Sequence, residues 1–241
     1  MTELLNRSAL VTGGTAGIGL ACAQLLADAG AQVIISGRDT ARGEAAATAL
    51  GSRARFVPAD LAEIDSVRNL VRRSGDVDIL VNNAASFPAA LTVDQRVDSF
   101  EKTFDTNVLG TYFLTAGLAA GMLDRGSGSI VNITSMVASK GVAAASAYSA
   151  SKAAVESLTR TWAIEFGGRG VRVNCVAPGP TSTEGVVAQW GDTNDELGRA
   201  LPLGRTAAPA EIAAAVVFLA GPHASFITGT TLHVDGGGSA M

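Results

Sequence analysis

The chain has 241 residues, 47% hydrophobic and 17% charged, with a formal net charge of -4. That is enough apolar material for a large core without staples, and it excludes a disordered chain. The charge leaves no basic footprint for nucleic acid and no polybasic segment for an anionic membrane, and no stretch approaches the roughly 20 apolar residues of a membrane span.

Residues 1–7 carry Glu3 and Arg7 and no apolar run, so no signal peptide is expected. In chain order, short β-branched runs at 8–12, 32–36, 55–57, 79–81, 129–134, 172–176 and 231–234 predict strands. Several are nearly all apolar, as strands covered on both faces should be. Between them, 17–29, 40–50, 63–73, 97–124, 147–167 and 209–220 predict helices. Gly30 and Gly51 suit positions just past helix ends, and Pro209 suits a first helical turn. The alternation predicts an α/β fold: one domain over 1–241, a doubly wound parallel sheet of about seven strands flanked by helices. The longest irregular stretch, 178–205, holds Gly179, Gly185, Gly191 and Gly198 and is expected to form a substrate loop or lid. Cys22 and Cys175 lie in apolar runs and are expected as buried free thiols, in keeping with a reducing cytoplasm. His223 and His233 stand ten apart without other ligand types around them, so no metal site is expected.

Thr12-Gly13-Gly14-Thr15-Ala16-Gly17-Ile18-Gly19 joins the first strand to the first helix. Glycine lets a backbone approach a ligand, and a helix N-terminus offers free N–H groups, so this turn can cradle a pyrophosphate. The bland alternative is a turn that only reverses the chain. Thr-Gly-x-x-x-Gly-x-Gly, together with Asn82-Asn83-Ala84-Ala85 after the fourth strand, resembles the short-chain dehydrogenase/reductase family, whose fold is Rossmann-like. The resemblance implies cofactor contacts at Gly13, Thr15, Gly17, Ile18 and Gly19, and at Asn83 and Ala84 near the adenosine ribose. Ala85 departs from the family's glycine. It also implies that Asp60-Leu61 flank the adenine ring.

At the end of the second strand, where NAD-preferring folds usually carry an acid for the ribose 2′-OH, this chain has Gly37 followed by Arg38. An arginine can hold a 2′-phosphate in bidentate fashion. NADP(H) is therefore favoured, with NAD(H) the alternative. Asp39 could compete for Arg38, and Ala16 lacks the basic residue that some NADP-preferring relatives carry.

Tyr148-Ser149-Ala150-Ser151-Lys152 places tyrosine and lysine four apart, on one helix face. A nearby ammonium favours the phenolate, which brings a phenol toward useful acid–base range. Alone, the pair would be an ordinary surface feature. By resemblance, Ser135 orients and stabilises the substrate oxygen, and Ser129 and Ser139 lie off that strand end. The resemblance also implies that Asn107 holds a water that links the lysine to solvent. In reduction, Tyr148 protonates the carbonyl oxygen while Lys152 binds the nicotinamide ribose. Pro178, Gly179, Thr181 and Thr183 resemble the element that docks the carboxamide, with Thr181 in place of the usual aliphatic residue. Asp235-Gly236-Gly237 also resembles the family's end.

Met136, Val137, Val142, Phe87, Val187 and Trp190 are candidate substrate walls, with Arg199 and Arg205 as candidate anion clamps. The mostly apolar set predicts a neutral or hydrophobic carbonyl or alcohol, with a 3-oxoacyl thioester as the alternative. Rival readings are dehydration, epimerisation or dehalogenation on the same fold, and a non-catalytic dinucleotide sensor. Trp162 is expected in the core or a subunit contact. By resemblance the chain forms a homotetramer, or a homodimer, through the helices at 97–124 and 147–167.

Overall fold

A computed structural model describes residues 3–241, apart from the side chains at positions 189 and 190. β1 (Ser8–Thr12), α1 (Gly17–Asp28), β2 (Gln32–Gly37), α2 (Thr40–Leu50), β3 (Ala54–Pro58), α3 (Ile64–Ser74) and β4 (Ile79–Asn82) form the first half. Then come α4 (Val97–Phe104), a π-helical turn (Asp105–Gly110), α5 (Thr111–Arg125), β5 (Gly128–Ile133) and α6 (Ser146–Gly167). β6 (Val171–Pro178), α7 (Glu184–Trp190), α8 (Asp192–Arg199), α9 (Pro209–Ala220) and β7 (Thr231–Val234) complete the chain. The seven strands pair in the order β3-β2-β1-β4-β5-β6-β7, every pairing parallel.

The helices begin and end for local reasons. Asp39 caps α2 by accepting from the Arg42 amide at 3.0 Å. Pro209 opens α9, and the Glu211 carboxylate accepts from the Ala208 amide at 2.8 Å. Alternate residues of each central strand then feed two separate cores. Val11, Ile35, Val81, Val131 and Val176 meet Leu26 of α1 and Ile212 and Val216 of α9. Leu10, Ile34, Leu80, Ile130 and Val173 meet Leu70 of α3, Leu114 of α5 and Trp162 of α6. Trp162 is thus a core residue, with Tyr112 at 5.8 Å between ring centroids. Both cysteines are buried and free.

Two expectations need correction. The helix expected over 97–124 is interrupted: α4 and α5 are separated by the π turn, whose wider winding inserts an extra residue. The stretch 178–205 is not irregular, because α7 and α8 occupy most of it. Thr183 and Gly191 start these two short helices, whose few turns leave too little apolar periodicity to register. No described helix is long and apolar enough to cross a membrane.

Candidate active site

Parallel strands place their carboxyl ends along one edge, and the loops leaving that edge carry the candidate site. The turns after β1 and β4 are stitched together there. The Thr12 hydroxyl accepts from the Asn83 amide at 2.9 Å and the Ala84 amide at 3.0 Å. The Asn83 side chain donates back to the carbonyls of Thr12 at 2.9 Å and Gly13 at 3.2 Å. Any side chain at Gly19 would collide with the Gly13 carbonyl and the Asn83 amide, so this junction requires glycine. Ala85 does not have a positive φ, so alanine sits there without left-handed strain.

The start of α1 is open to an anion. Ala16 supplies no side-chain cap, and the first turn holds no acid. Its first N–H groups therefore keep their hydrogen-bonding capacity for a ligand. Gly17 has φ +53, and a Cβ built on it would lie 3.0 Å from the Thr183 methyl, so the segment before α7 overhangs this turn. Ile18 packs against the α1–α9 core. The Thr183 hydroxyl caps α7 by accepting from the Val186 amide at 3.2 Å. Thr181 is buried, bridges to Ala207 and donates to the Gly179 carbonyl at 2.9 Å. Pro178 is the last residue of β6.

At the adenine end, Thr15 lies against Gly37, and Arg38 is exposed. Asp39 does not hold Arg38; its carboxylate is the α2 cap. Asp60 accepts from the Ala62 amide at 3.0 Å, and Leu61 is buried beneath the π turn. These positions form a cradle with an uncapped helix start and a free arginine, which fits a dinucleotide.

Ser135 stands two residues past the end of β5, beside the Tyr148 phenol. Its hydroxyl accepts from the Val137 amide at 3.4 Å. Phe87 packs edge-on against Tyr148 at 6.3 Å. Burial pushes the Tyr148 phenol up to about 12, against a lowering by the nearby Ser135 hydroxyl. Lys152 is buried, and burial brings its ammonium down to about 8. Its Nζ donates to the Ile133 carbonyl at 2.8 Å and lies 5.6 Å from the centre of the Tyr148 ring. The structure thus brings the pair together as expected. The group that lowers the phenol, however, is Ser135 and not the lysine, whose proton points at the strand end.

Asn107 lies on the π turn and is buried. Its side chain accepts from the Ser86 amide at 2.7 Å and donates to the Ser86 carbonyl at 2.8 Å and the Ser151 hydroxyl at 2.9 Å. Ser151 donates onward to the Tyr148 carbonyl at 2.7 Å. Asn107 therefore reaches the catalytic helix through Ser151. Ser86 was not singled out in the sequence, and Thr12 and Ser151 appeared only as members of their motifs, with no role of their own. Ser151 could have been singled out, because it stands three residues after Tyr148 on the inward side of the helix.

Ser129 lies at the far end of β5, bonded to the Leu219 carbonyl, and Ser139 bonds the Met136 carbonyl, so neither joins Ser135. Met136 is buried, Val137 and Val142 are half-buried, and Val187 is exposed on α7. The side chain of Trp190 lies outside the described residues. Arg205 is not a free clamp, since Glu211 holds it by two contacts of 2.7 Å. Arg199 is exposed in the last turn of α8. Between Val142 and Tyr148, Ala144 has φ +62, a left-handed conformation that disfavours alanine, and its carbonyl accepts from the Ala90 amide at 3.0 Å.

A doubly wound sheet with a dinucleotide cradle and a Ser–Tyr–Lys set at its carboxyl edge defines a nicotinamide-dependent oxidoreductase. A family model described as enoyl-(acyl carrier protein) reductase matches residues 13–239. The 3-oxoacyl-(acyl-carrier-protein) reductase of Vibrio harveyi is 38% identical over 241 residues, covering 98% of each chain. A solved short-chain dehydrogenase/reductase family protein superposes with a TM-score of 0.96 at 60% identity, covering 99% of this chain and 100% of its own. A structure from Beutenbergia cavernae superposes with a TM-score of 0.94 at 37% identity, covering 100% of this chain and 99% of its own. It is provisionally described as an NAD(P)-dependent gluconate 5-dehydrogenase with NADP bound at low occupancy. The chain belongs to the short-chain dehydrogenase/reductase family. With that family, it is an NAD(P)-dependent oxidoreductase of CH–OH and C=O groups.

Proposed function

We propose that this enzyme interconverts a neutral or hydrophobic carbonyl compound and its secondary alcohol, with NADP(H) preferred over NAD(H). The observation that carries this reading is the grouping of Tyr148 and buried Lys152, its Nζ 5.6 Å from the phenol ring, beside Ser135 and at the same sheet edge as the uncapped start of α1. When bound, the nicotinamide supplies or accepts the hydride. The chain supplies the proton chemistry. Ser135 orients the substrate oxygen and stabilises charge developing on it. Tyr148, kept protonated by burial, donates its proton to that oxygen in reduction and takes it back in oxidation. Lys152 holds the nicotinamide ribose, and Asn107, through Ser151, fixes the first turns of the catalytic helix. Gly13, Thr15, Gly17, Ile18 and Gly19 bind the pyrophosphate side. Asn83, Ala84, Asp60 and Leu61 bound the adenosine, and Pro178, Gly179, Thr181 and Thr183 bound the carboxamide. Met136, Val137 and Val142 wall the substrate. Arg38, not engaged by Asp39, receives the 2′-phosphate.

The same reading makes the protein a cytoplasmic homotetramer. Two buried free thiols suit a reducing compartment, and Phe100, Tyr112, Phe113 and Ile164 are exposed apolar residues on α4, α5 and α6.

Fluorescence titration with NADPH and NADH, followed by a ketone panel read as loss of reduced cofactor, tests the assignment. NADPH should bind more tightly, and Arg38→Ala should erase that preference. Tyr148→Phe should lower kcat by about a thousandfold with NADPH binding kept; near-full activity would sink the assignment. The likeness to the Vibrio harveyi reductase supports a second reading, a 3-oxoacyl thioester as substrate. Selective turnover of a small 3-oxoacyl thioester in that panel would establish it.

A further inference from the structure

Three consecutive residues, the last of β5 and the two that follow it, each meet α6. The Ile133 carbonyl accepts a hydrogen bond from Lys152 Nζ at 2.8 Å, and Ser135 lies beside the Tyr148 phenol. Between them, the Thr134 hydroxyl donates to Glu156 Oε1 at 3.1 Å. Tyr148, Lys152 and Glu156 stand four apart, so they form one stripe along the helix. The first two contacts belong to the proposed reacting set. The third belongs to no role assigned so far.

Thr134 is buried and is fixed on a second side as well. Its amide donates to the Val176 carbonyl at 2.8 Å, and its hydroxyl lies 3.3 Å from the same oxygen. It is the last residue held to β6 before the chain leaves the sheet. Beyond it, Ser135 has only a short helical turn, Met136–Ala138, to hold it. The orientation of Ser135 toward Tyr148 therefore depends on how Thr134 is clamped between β6 and α6.

We propose that Glu156 is a positioning residue for the proton-transfer site, acting through Thr134 to fix the Ile133 carbonyl and Ser135 against Lys152 and Tyr148. The inference rests on the reading of Ser135, Tyr148 and Lys152 as the reacting set. The carboxylate works here as a hydrogen-bond acceptor and touches neither substrate nor cofactor. Glutamine keeps an acceptor oxygen at the same reach, and alanine does not. A serine at position 134 keeps the hydroxyl, and valine keeps only the shape.

The test compares Glu156→Ala, Glu156→Gln, Thr134→Val and Thr134→Ser in the full-length enzyme, with Tyr148→Phe alongside. Because small misplacements of reacting groups lower turnover steeply, Glu156→Ala and Thr134→Val should each lower kcat by about tenfold, with the NADPH dissociation constant unchanged. Glu156→Gln and Thr134→Ser should stay within about twofold of the parent, and the Ala/Val double variant should be no slower than either single one. Equal loss in Glu156→Gln and Glu156→Ala would overturn the proposal, because charge and not the hydrogen bond would then be at work. So would a Glu156→Ala enzyme that is folded and fully active. If Glu156→Ala does not fold, the Val/Ser pair at position 134 decides the matter in the same way. An active Tyr148→Phe enzyme would instead remove the underlying reading, a result distinguishable from failure of the clamp alone.

Discussion

The two faces of the sheet differ in a way their shared apolar character conceals. Toward α1 and α9, the strands present hydrocarbon beneath the helices, Val11, Ile35, Val81, Val131 and Val176, and their polar side chains, Ser129, Arg172 and Asn174, reach only the end of α9 and the loop before β7. Toward α5 and α6, hydrocarbon gives way near the carboxyl edge to a buried polar row in register across β4, β5 and β6: Asn82, Asn132 and Cys175. Asn82 donates to Asn132 at 2.8 Å and to Thr115 of α5 at 3.0 Å. Asn132 donates to Thr159 of α6 at 2.7 Å, and Cys175 donates to the same hydroxyl at 3.0 Å. Apolar contacts are non-directional and hold a helix against a sheet at many angles. Hydrogen bonds between fixed rows hold it at one. The face that carries Tyr148 and Lys152 is the one whose directional contacts run in a row near the carboxyl edge, beside the site.

Substitutions on each face can break this comparison. Leu26→Ala, in the apolar face, should lower stability by about 3 kcal/mol through lost transfer and a residual cavity. Its kcat per folded molecule should not move. Asn132→Ala, in the polar row, should lower stability less, by about 2 kcal/mol, because it strands the Asn82 and Thr159 groups. It should also reduce kcat. Urea melts with parallel kinetics check both, and equal kinetic effects would erase the distinction.

A smaller effect concerns pH. Burial raises Cys22, on the apolar face, from 9.0 to about 12. Between those values the unfolded thiol has lost its proton and the folded one keeps it, so stability falls as pH rises. Lys152 has the opposite sign, since its folded value of about 8 lies below the ordinary 10.5, so stability rises between them. Cys22→Ala should flatten the alkaline decline by about 1.4 kcal/mol per pH unit, read as melts between pH 9 and 10.5. An unchanged slope would mean that the thiol ionises alike in both states.

The strands and both cores were legible because continuous β-branched runs and alternating parity have few other solutions. The Tyr148–Lys152 pair was legible because it is local, and the structure places Ser135 where the end of a strand predicted it. Three features were not legible. The π turn around Asn107 leaves no mark in an apolar helical pattern. Ala144 gives no hint of a left-handed conformation, since an alanine lacks both the freedom of glycine and the local hydrogen bonds by which Asn or Asp favour one. The Thr134–Glu156 contact joins residues 22 apart through a hydroxyl and a carboxylate that each look like ordinary surface groups.

The π turn has a further consequence for the long helical arm. A single inserted residue puts α4 and α5 in different rotational frames, roughly 100° apart on a helix of 3.6 residues per turn. Phe100 and Phe104 stack at 4.6 Å in the first frame, and Tyr112 and Phe113 meet at 5.2 Å in the second. Removing one residue between Asp105 and Gly110 would merge the two frames into one regular helix. The aromatic pairs would then rotate past one another, and Asn107 would swing away from Ser86 and Ser151. A deletion too small to shorten the arm visibly would act on it as a gear slipping by one tooth.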